Sequence, residues 1–331
     1  MMTSNRRRFI QSAAAAATVG VIPFRAHAKQ TLHLSHIFNL EDLRHKSALA
    51  FADEVRTKTN GEVDIVVHPL SQMGGLRDSV EGTRLGTIDL TMADTATIGN
   101  WAPALGMWSL PFIFNDYDHA QRVMAGPVGE WRTKEIRSKA GLVALGHAVV
   151  GFRVMLTSKR AVNSAADIRQ MKLRVPEIPI YVSTFRALGA NVTPVPWGEV
   201  YSALQAGVVE GVESNPSSFI LAKHVEVTKF ASRTQHILLD SGLLMNPDRF
   251  GALPRDTQAI IAAAAKRHVT DSLSKQQIAL ETGAWNDLAK WATLNPNPEL
   301  ASFRTAVAPV VEDFSKRNGL GEILAKVGAA K

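Results

Sequence analysis

Apolar residues in the first third of the chain recur with the two-residue period of strands and, between those runs, with the spacing of helices. Helical spacing over Leu43–Thr57 ends before Asn60, and a second helical pattern ends at Gly86. The predicted strands are Leu32–Ile37, Val63–Val67 and Ile88–Met92. This order of strand, helix, strand, helix, strand predicts a parallel sheet with crossover helices.

The middle of the chain repeats this pattern and predicts a second α/β unit. Helices are predicted at Ile180–Leu188 and Gly198–Gln205. The predicted strands are Leu142–Val149, Val154–Leu156, Leu173–Val175, Val192–Val195 and Val208–Val212. A longer helical pattern, Ala259–Ala292, follows Pro254 and can run across both units. A length of 331 residues accommodates two units of this size.

Residues 1–28 have the composition of an export signal. The basic cluster Asn5–Gln11 matches the twin-arginine pattern, Ser12–Ile22 is rich in alanine, and Ala26-His27-Ala28 has the small-x-small form of a cleavage site. We therefore expect cleavage after Ala28 and a soluble mature protein in the periplasm. The alternatives are a disordered basic tail and a membrane anchor, although the run falls short of the about 20 apolar residues that span a bilayer.

Charge and cysteine content restrict the possible functions. Four of the 37 basic residues lie in residues 1–28, so the remainder carries 33 basic and 30 acidic residues. This small and dispersed excess does not predict a nucleic-acid-binding surface. The absence of cysteine excludes disulfides, thiolate catalysis and cysteine-ligated metals.

The stretch from Gly151 to Asn215 contains the parts of a carboxylate-binding site. Arg153 and Arg174 lie on short apolar runs, and each guanidinium presents a planar fork of donors that matches a carboxylate. Trp197 and Asn215 follow in loops and add a flat aromatic face and an amide. These four residues predict a site for a small organic acid. The alternatives are solvent-facing arginines and a tryptophan in the core.

Four further candidates follow the predicted strands of the first unit. Ligands of open α/β sheets bind beyond the carboxyl ends of the strands. His36, Gln72, Asp94 and Thr95 are therefore candidate ligand-facing residues. Ordinary loop capping is the alternative for each of them.

No catalytic signature accompanies these residues. The sequence has no Walker loop, Rossmann glycine fingerprint, HExxH or GxSxG motif, and no pair of histidines has metal-ligand spacing beside a carboxylate. We interpret Glu210 and Glu213 as solvated helix-start or loop residues, not as an acid–base pair. The sequence therefore predicts a binding protein that is not an enzyme and has no cofactor; whether a metal ion assists binding is left open.

Four segments carry motifs that are specific in combination: SQMGGLRDSVEGTRLGTIDLTMAD, LPFIFNDYDHA, GFRVMLTSKRAVNSAADIRQMKLRVP and ALGANVTPVPWGEVYSALQAGVVEGVESNP. Together they resemble the DctP-like solute-binding proteins of tripartite ATP-independent periplasmic (TRAP) transporters. The resemblance implies a two-lobe α/β periplasmic-binding-protein fold, type II-like, with a long helix spanning both lobes. Lobe I would comprise 29–150 plus about 239–278, and lobe II would comprise 151–238 plus about 279–331.

The resemblance also implies roles for the site residues. Arg174, in the K-x-R-V-P motif, would make the principal salt bridge to the ligand carboxylate, and Arg153 would make a second contact. Trp197 would pack on the ligand, and Asn215 matches a further binding position. Asp94 lies where some members place an acid for ligand hydroxyls.

The function implied is capture of a carboxylate-bearing organic acid and its delivery to a membrane permease with a small and a large subunit. A sugar acid such as a uronate, or a hydroxy acid, is favoured over the alternatives, a C4-dicarboxylate or a 2-oxo acid. The competing classes are an exported enzyme acting on an organic acid and a subunit that feeds a sensor. We expect a monomer without an ATP site.

Overall fold

One mixed sheet organises the molecule. The computed structural model describes residues 29–330, so the predicted export signal lies outside the described residues. Nine strands within that range form the sheet. They are β1 (Gln30–Ser35), β2 (Val63–His68), β3 (Leu90–Ala93), β4 (Val143–Thr157), β5 (Lys172–Val175), β6 (Asn191–Pro194), β7 (Gly211–Ser214), β8 (Phe230–Met245) and β9 (Thr293–Asn295).

Helices pack around this sheet, and several begin at an acidic cap. The side chains of Asp42, Asp94 and Asp116 each accept a hydrogen bond from a backbone N–H of the first turn that follows them. The helices are α1 (Leu43–Lys58), α2 (Leu76–Leu85), α3 (Thr95–Ile98), α4 (Tyr117–Ala125), α5 (Pro127–Glu135), α6 (Pro179–Ala187), α7 (Val200–Gln205), α8 (Pro216–Leu221), α9 (Pro247–Ala252), α10 (Arg255–Ala265), α11 (Ser274–Asp287), α12 (Leu300–Arg317) and α13 (Gly321–Ala329).

The strand order shows two βαβ units joined by two long strands. The order is β2-β1-β3-β8-β4-β7-β5-β6, with β9 beside β8. β1 pairs in parallel with β2 and β3, and β5 pairs in parallel with β6 and β7. β4 and β8 are antiparallel partners along most of their length. We call the half that contains β1–β3 lobe I and the half that contains β5–β7 lobe II. This is the two-lobe α/β fold predicted from the sequence.

The two joining strands differ from the prediction. Leu142–Val149 and Val154–Leu156 were predicted as separate strands, but both belong to the single strand β4, and β8 was not predicted. The register between β4 and β8 shifts at three places, one of them between Val149 and Gly151, beside the predicted lobe boundary. Such bulges interrupt the alternation of apolar and polar residues on which strand prediction depends.

The predicted long helix is continuous but changes its hydrogen-bond pattern. α10 passes through a π-helical segment, Lys266–Leu273, into α11. Val269 lies in a core cluster with β1–β3, whereas Trp285 lies in a cluster with β7. The helix therefore packs against both lobes, as predicted. No helix within residues 29–330 has the length and apolar character needed to cross a membrane.

Candidate functional site

A cavity lies between the lobes, where the carboxyl ends of β1, β3, β5 and β7 converge. Apolar contacts come from Phe38 and Trp197, among others. The charged and hydroxyl-bearing residues that line the cavity are Arg44, Arg77, Asp94, Thr97, Arg153, Arg174, Glu177, Ser214, Ser218, Asp240 and Ser241. A concave site with a few convergent polar groups in a partly apolar wall is typical of small-molecule binding.

Arg174, on β5, presents a buried cation to this cavity. Its Nε and Nη2 donate to the carbonyl oxygen of Val195 at 2.8 and 2.6 Å, and its Cζ lies 5.5 Å from the ring centroid of Trp197. Burial lowers the pKa of Arg174 to about 9, despite attraction by the Glu213 carboxylate. Among residues 29–330, no carboxylate oxygen lies within 4.0 Å of its guanidinium nitrogens. Its charge is therefore left uncompensated at short range.

Arg153, on β4, has a carboxylate partner of its own. Its Nη2 donates to Glu213 Oε1 at 2.7 Å and to the Glu213 carbonyl oxygen at 2.7 Å, and its Nε donates to Oε2. His236 Nε2 lies 3.3 Å from the same carboxylate. Burial alone would lower the pKa of Arg153, but the Glu213 carboxylate outweighs it and raises that pKa. The interpretation of Glu213 as a solvated residue was wrong, because its side chain is fully buried in this ion pair.

A second paired arginine, Arg44, lines the cavity from lobe I. Its Nε and Nη2 donate to the two carboxylate oxygens of Asp42 at 2.9 and 2.6 Å. Its Cζ lies 3.9 Å from the ring centroid of Phe38, and Nη2 also donates to Ser218 Oγ of lobe II at 3.2 Å. Arg44 was not among the predicted site residues, because nothing in the local pattern shows that α1 turns its first residues towards the cleft.

Two carboxylates of lobe I, Asp94 and Asp240, lie at the cavity, and their pKa values are shifted in opposite directions. Burial and the nearby charge of Asp240 raise the pKa of Asp94 to about 6, although Thr97 N and Oγ1 each donate to it at 2.7 Å. Asp240 accepts hydrogen bonds from Thr95 N at 3.1 Å, from Thr95 Oγ1 and from His147 Nε2. Burial acts to raise the pKa of Asp240, but these partners hold it below the ordinary value. The ionised form of Asp94 is therefore less well stabilised than that of Asp240.

The predicted site residues divide into three groups. Arg174, Arg153, Trp197 and Asp94 meet at the cavity. Thr95 lies behind it, hydrogen-bonded to Asp240. Like Thr95, the remaining three predicted residues are absent from the cavity lining; they are His36, Gln72 and Asn215.

Each of these three residues has a different environment. His36 is buried and its Nε2 lies 3.0 Å from His45 Nδ1. Gln72 is exposed on the surface. Asn215 is buried beside α11, where its Nδ2 donates to Glu281 Oε1 at 2.7 Å. Their predicted contact with a ligand stays a prediction.

Metal-binding chemistry is not evident at this site. No cluster of three or more histidine, aspartate or glutamate side chains within residues 29–330 is arranged to hold a metal ion. The cavity instead supplies guanidinium donors, hydroxyls and carboxylate acceptors. These groups suit an organic acid that also carries hydroxyls.

Comparison with known proteins bears on the same site. The family model for bacterial extracellular solute-binding protein, family 7 (DctP), matches residues 34–318. A solute-binding protein of Verminephrobacter eiseniae is 34% identical over 269 residues, which cover 81% of this chain and 80% of that relative.

Solved structures of similar proteins contain bound organic acids. A TRAP periplasmic solute-binding protein from a Polaromonas species, bound to D-erythronate, has a TM-score of 0.87 and 30% identity and covers 91% of this chain and 99% of its own. Another from a Sulfitobacter species, with bound β-D-galacturonate, has a TM-score of 0.85 and 29% identity and covers 90% and 99%. Further TRAP proteins, 26–28% identical, contain β-D-glucuronate, L-galactonate or succinate.

Proposed function

This chain belongs to family 7 of the bacterial extracellular solute-binding proteins, the DctP family, and we propose that its solute is a hydroxylated monocarboxylic acid held in the cleft between the lobes. It is a solute-binding protein of a TRAP transporter. The solute class that fits best is a sugar acid, such as a uronate or an aldonate.

The charge of Arg174 is the observation that carries this proposal. A buried guanidinium without a carboxylate partner is unfavourable unless a ligand supplies the anion. The other two buried arginines of the cavity wall, Arg153 and Arg44, are already paired with Glu213 and Asp42. The buried part of the cavity thus has one uncompensated arginine and can neutralise one ligand carboxylate. Arg174 binds this carboxylate while Trp197 packs beside it.

Acceptors and hydroxyls supply the second part of the specificity. Asp94 and Glu177 are carboxylates in the lining, and Thr97, Ser214 and Ser218 are hydroxyl-bearing. Ligand hydroxyls donate to the carboxylates and accept from the hydroxyls, whereas a second ligand carboxylate next to Asp94 meets a like charge. A hydroxy acid is therefore favoured over a C4-dicarboxylate, although one similar structure contains succinate.

Delivery to a permease completes the proposed role. Binding of the acid draws the lobes together around the ion pair, and the closed protein is the form that a permease with a small and a large subunit recognises. The protein acts in the periplasm, after cleavage behind Ala28, as a monomer. It changes no covalent bond of the solute, since the cavity has donors and acceptors but no nucleophile activated by an adjacent base.

A thermal-shift titration of the mature protein tests the proposal. The acids compared are D-erythronate, galacturonate, L-galactonate and succinate. A ligand that binds only the folded state stabilises that state, and a tighter ligand does so more strongly. We therefore expect the hydroxylated monocarboxylates to raise the melting temperature most. Arg174→Met should abolish the shift. Arg84→Met is the matched control, because Arg84 also donates to a backbone carbonyl and lies over a tryptophan, outside the cavity.

Two outcomes contradict the proposal. Unchanged affinity in Arg174→Met removes Arg174 as the anchor. Conversion of any of the four acids, detected by mass spectrometry after incubation with the protein, supports the exported-enzyme alternative instead.

A further inference from the structure

We propose that Asp42 determines which acids the cavity accepts, because by neutralising Arg44 it makes the part of the lobe I wall formed by Arg44 bind a ligand hydroxyl and reject a second carboxylate. The inference deepens the proposed function and rests on it. Arg174 decides that an acid binds, and the Asp42–Arg44 pair decides what the other end of that acid carries.

The pair is fixed before any ligand arrives. Asp42 and Arg44 are 5% and 7% exposed. Both carboxylate oxygens of Asp42 accept from the guanidinium, and Oδ1 also accepts from the backbone N–H of Arg44 at 2.8 Å. The face of the guanidinium packs on the ring of Phe38. Arg44 therefore has one orientation, with its remaining donor capacity towards Ser218 and the cavity.

The two arginines enter the cavity from different lobes. Arg44 extends from α1 of lobe I, and Arg174 lies on β5 of lobe II. A solute anchored by its carboxylate on Arg174 can therefore contact Arg44 with another part of its skeleton as the lobes close. Ser218 Oγ, which already accepts from Arg44 across the cleft, marks where a ligand oxygen finds the same donor.

The charge of the pair defines which oxygen is tolerated. A guanidinium with a bidentate carboxylate partner keeps hydrogen-bond donors. The ion pair as a whole has no net charge, however, so it cannot offset the desolvation of another anion. A ligand carboxylate at this wall would also face repulsion from Asp42. A hydroxyl accepts from the guanidinium without either cost.

Asp42→Asn is the test, since it removes the charge while keeping the cap. Asparagine caps helices as well as aspartate does, so α1 retains its start. Affinities are measured by calorimetry for D-erythronate and meso-tartrate, which have the same carbon chain and differ in one end, CH₂OH against carboxylate. We expect the tartrate-to-erythronate affinity ratio to rise at least about tenfold in the variant. The pair L-galactonate and galactarate repeats the comparison on a longer chain.

Asp116→Asn is the control, because Asp116 caps α4 and does not line the cavity. If Asp42→Asn folds poorly, Asp42→Ser gives the same charge change with another capping residue. A purely structural role for Asp42 lowers both affinities together and leaves the ratio unchanged, which overturns the inference. Wild-type protein that binds neither these pairs nor galacturonate overturns the proposed function, and the inference with it.

Discussion

Arg153 and Glu213 form a buried ion pair across β4 and β7, with Nη2 and Oε1 2.7 Å apart. Arg174, on the neighbouring strand β5, faces the same cavity without such a partner. Two arginines that look equivalent in the sequence thus have different electrostatic tasks. Arg153 is compensated by the Glu213 carboxylate, and Arg174 is the residue that we propose binds the ligand carboxylate.

Glu213→Gln tests the cost of breaking this pair. The substitution leaves the Arg153 guanidinium buried without its counter-ion, and loss of one partner of a buried pair typically costs about 3–5 kcal/mol of unfolding free energy. Urea denaturation at neutral pH measures the loss. Glu210→Gln is the control, because Glu210 is paired with Lys159, whose side chain is 71% exposed, and should cost less than about 1 kcal/mol. Equal costs for the two variants would show that the Arg153–Glu213 pair contributes no special stability.

Much of the fold could be predicted because its parallel units are local in sequence. β2 and α1 lie within a residue or so of their predicted bounds, since apolar period and Gly or Asn stop signals coincide there. β8 was missed because Arg233, Gln235 and Asp240 interrupt its apolar run. Those polar residues are accommodated by tertiary contacts, such as the hydrogen bonds to Asp240, which no local pattern reveals.

Asp94→Asn should change how stability depends on pH. The pKa of Asp94 is raised in the folded protein from 3.8 to about 6, so the folded state binds its proton more tightly than the unfolded state does. Its contribution is therefore favourable at low pH and is lost as pH rises through about 6, by roughly 3 kcal/mol in all.

Asparagine resembles the protonated acid and lacks this titration. We expect Asp94→Asn and wild type to be similar near pH 4 and the variant to be more stable at pH 7, as measured by urea denaturation across that range. Asp116→Asn, which alters a comparable N-cap away from the cavity, should show no such gain. A variant without added stability at pH 7 would contradict the conclusion that the folded protein destabilises the ionised form of Asp94.

The proposed export through the twin-arginine route gives a prediction for residues 1–28. Replacing Arg6 and Arg7 together with lysine preserves the charge of the segment but removes the arginine pair. We expect the variant to stay in the cytoplasm with its full length, while the wild-type protein is recovered from the periplasm beginning at Lys29. Cell fractionation and intact-mass measurement distinguish the two. A variant that is exported normally would point to the general secretory route.

The residues predicted in lobe II line the cavity more often than those predicted in lobe I. Arg174 and Trp197 come directly from their motifs, because each motif fixes a side chain at the end of a strand. In lobe I the rule about strand ends selects too many residues. It names His36, which packs against His45, as readily as Asp94, which reaches the cavity. Arg44 lies in a helix, so the rule does not find it.

Asn215 offers a test of where the site ends. Its Nδ2 donates to Glu281 and to Ser217 Oγ, and its Oδ1 accepts from Ser218 Oγ at 2.6 Å. Burial raises the pKa of Glu281, and the hydrogen bonds from Asn215 and Ser217 oppose that rise. Asn215 therefore secures α11, the part of the continuous helix that packs against lobe II, and positions a serine of the cavity wall.

We expect Asn215→Ala to lower the unfolding free energy by about 1–3 kcal/mol, because a buried acceptor loses its donor. The loss should grow as pH rises, since the carboxylate form of Glu281 depends on these donors. Affinity for the best ligand should fall only about three- to tenfold, through the displaced Ser218, against a near-complete loss in Arg174→Met. Asn191→Ala, an exposed site, is the control for both measurements. An affinity loss as large as that of Arg174→Met, at unchanged stability, would establish Asn215 as a direct ligand contact and extend the site towards α11.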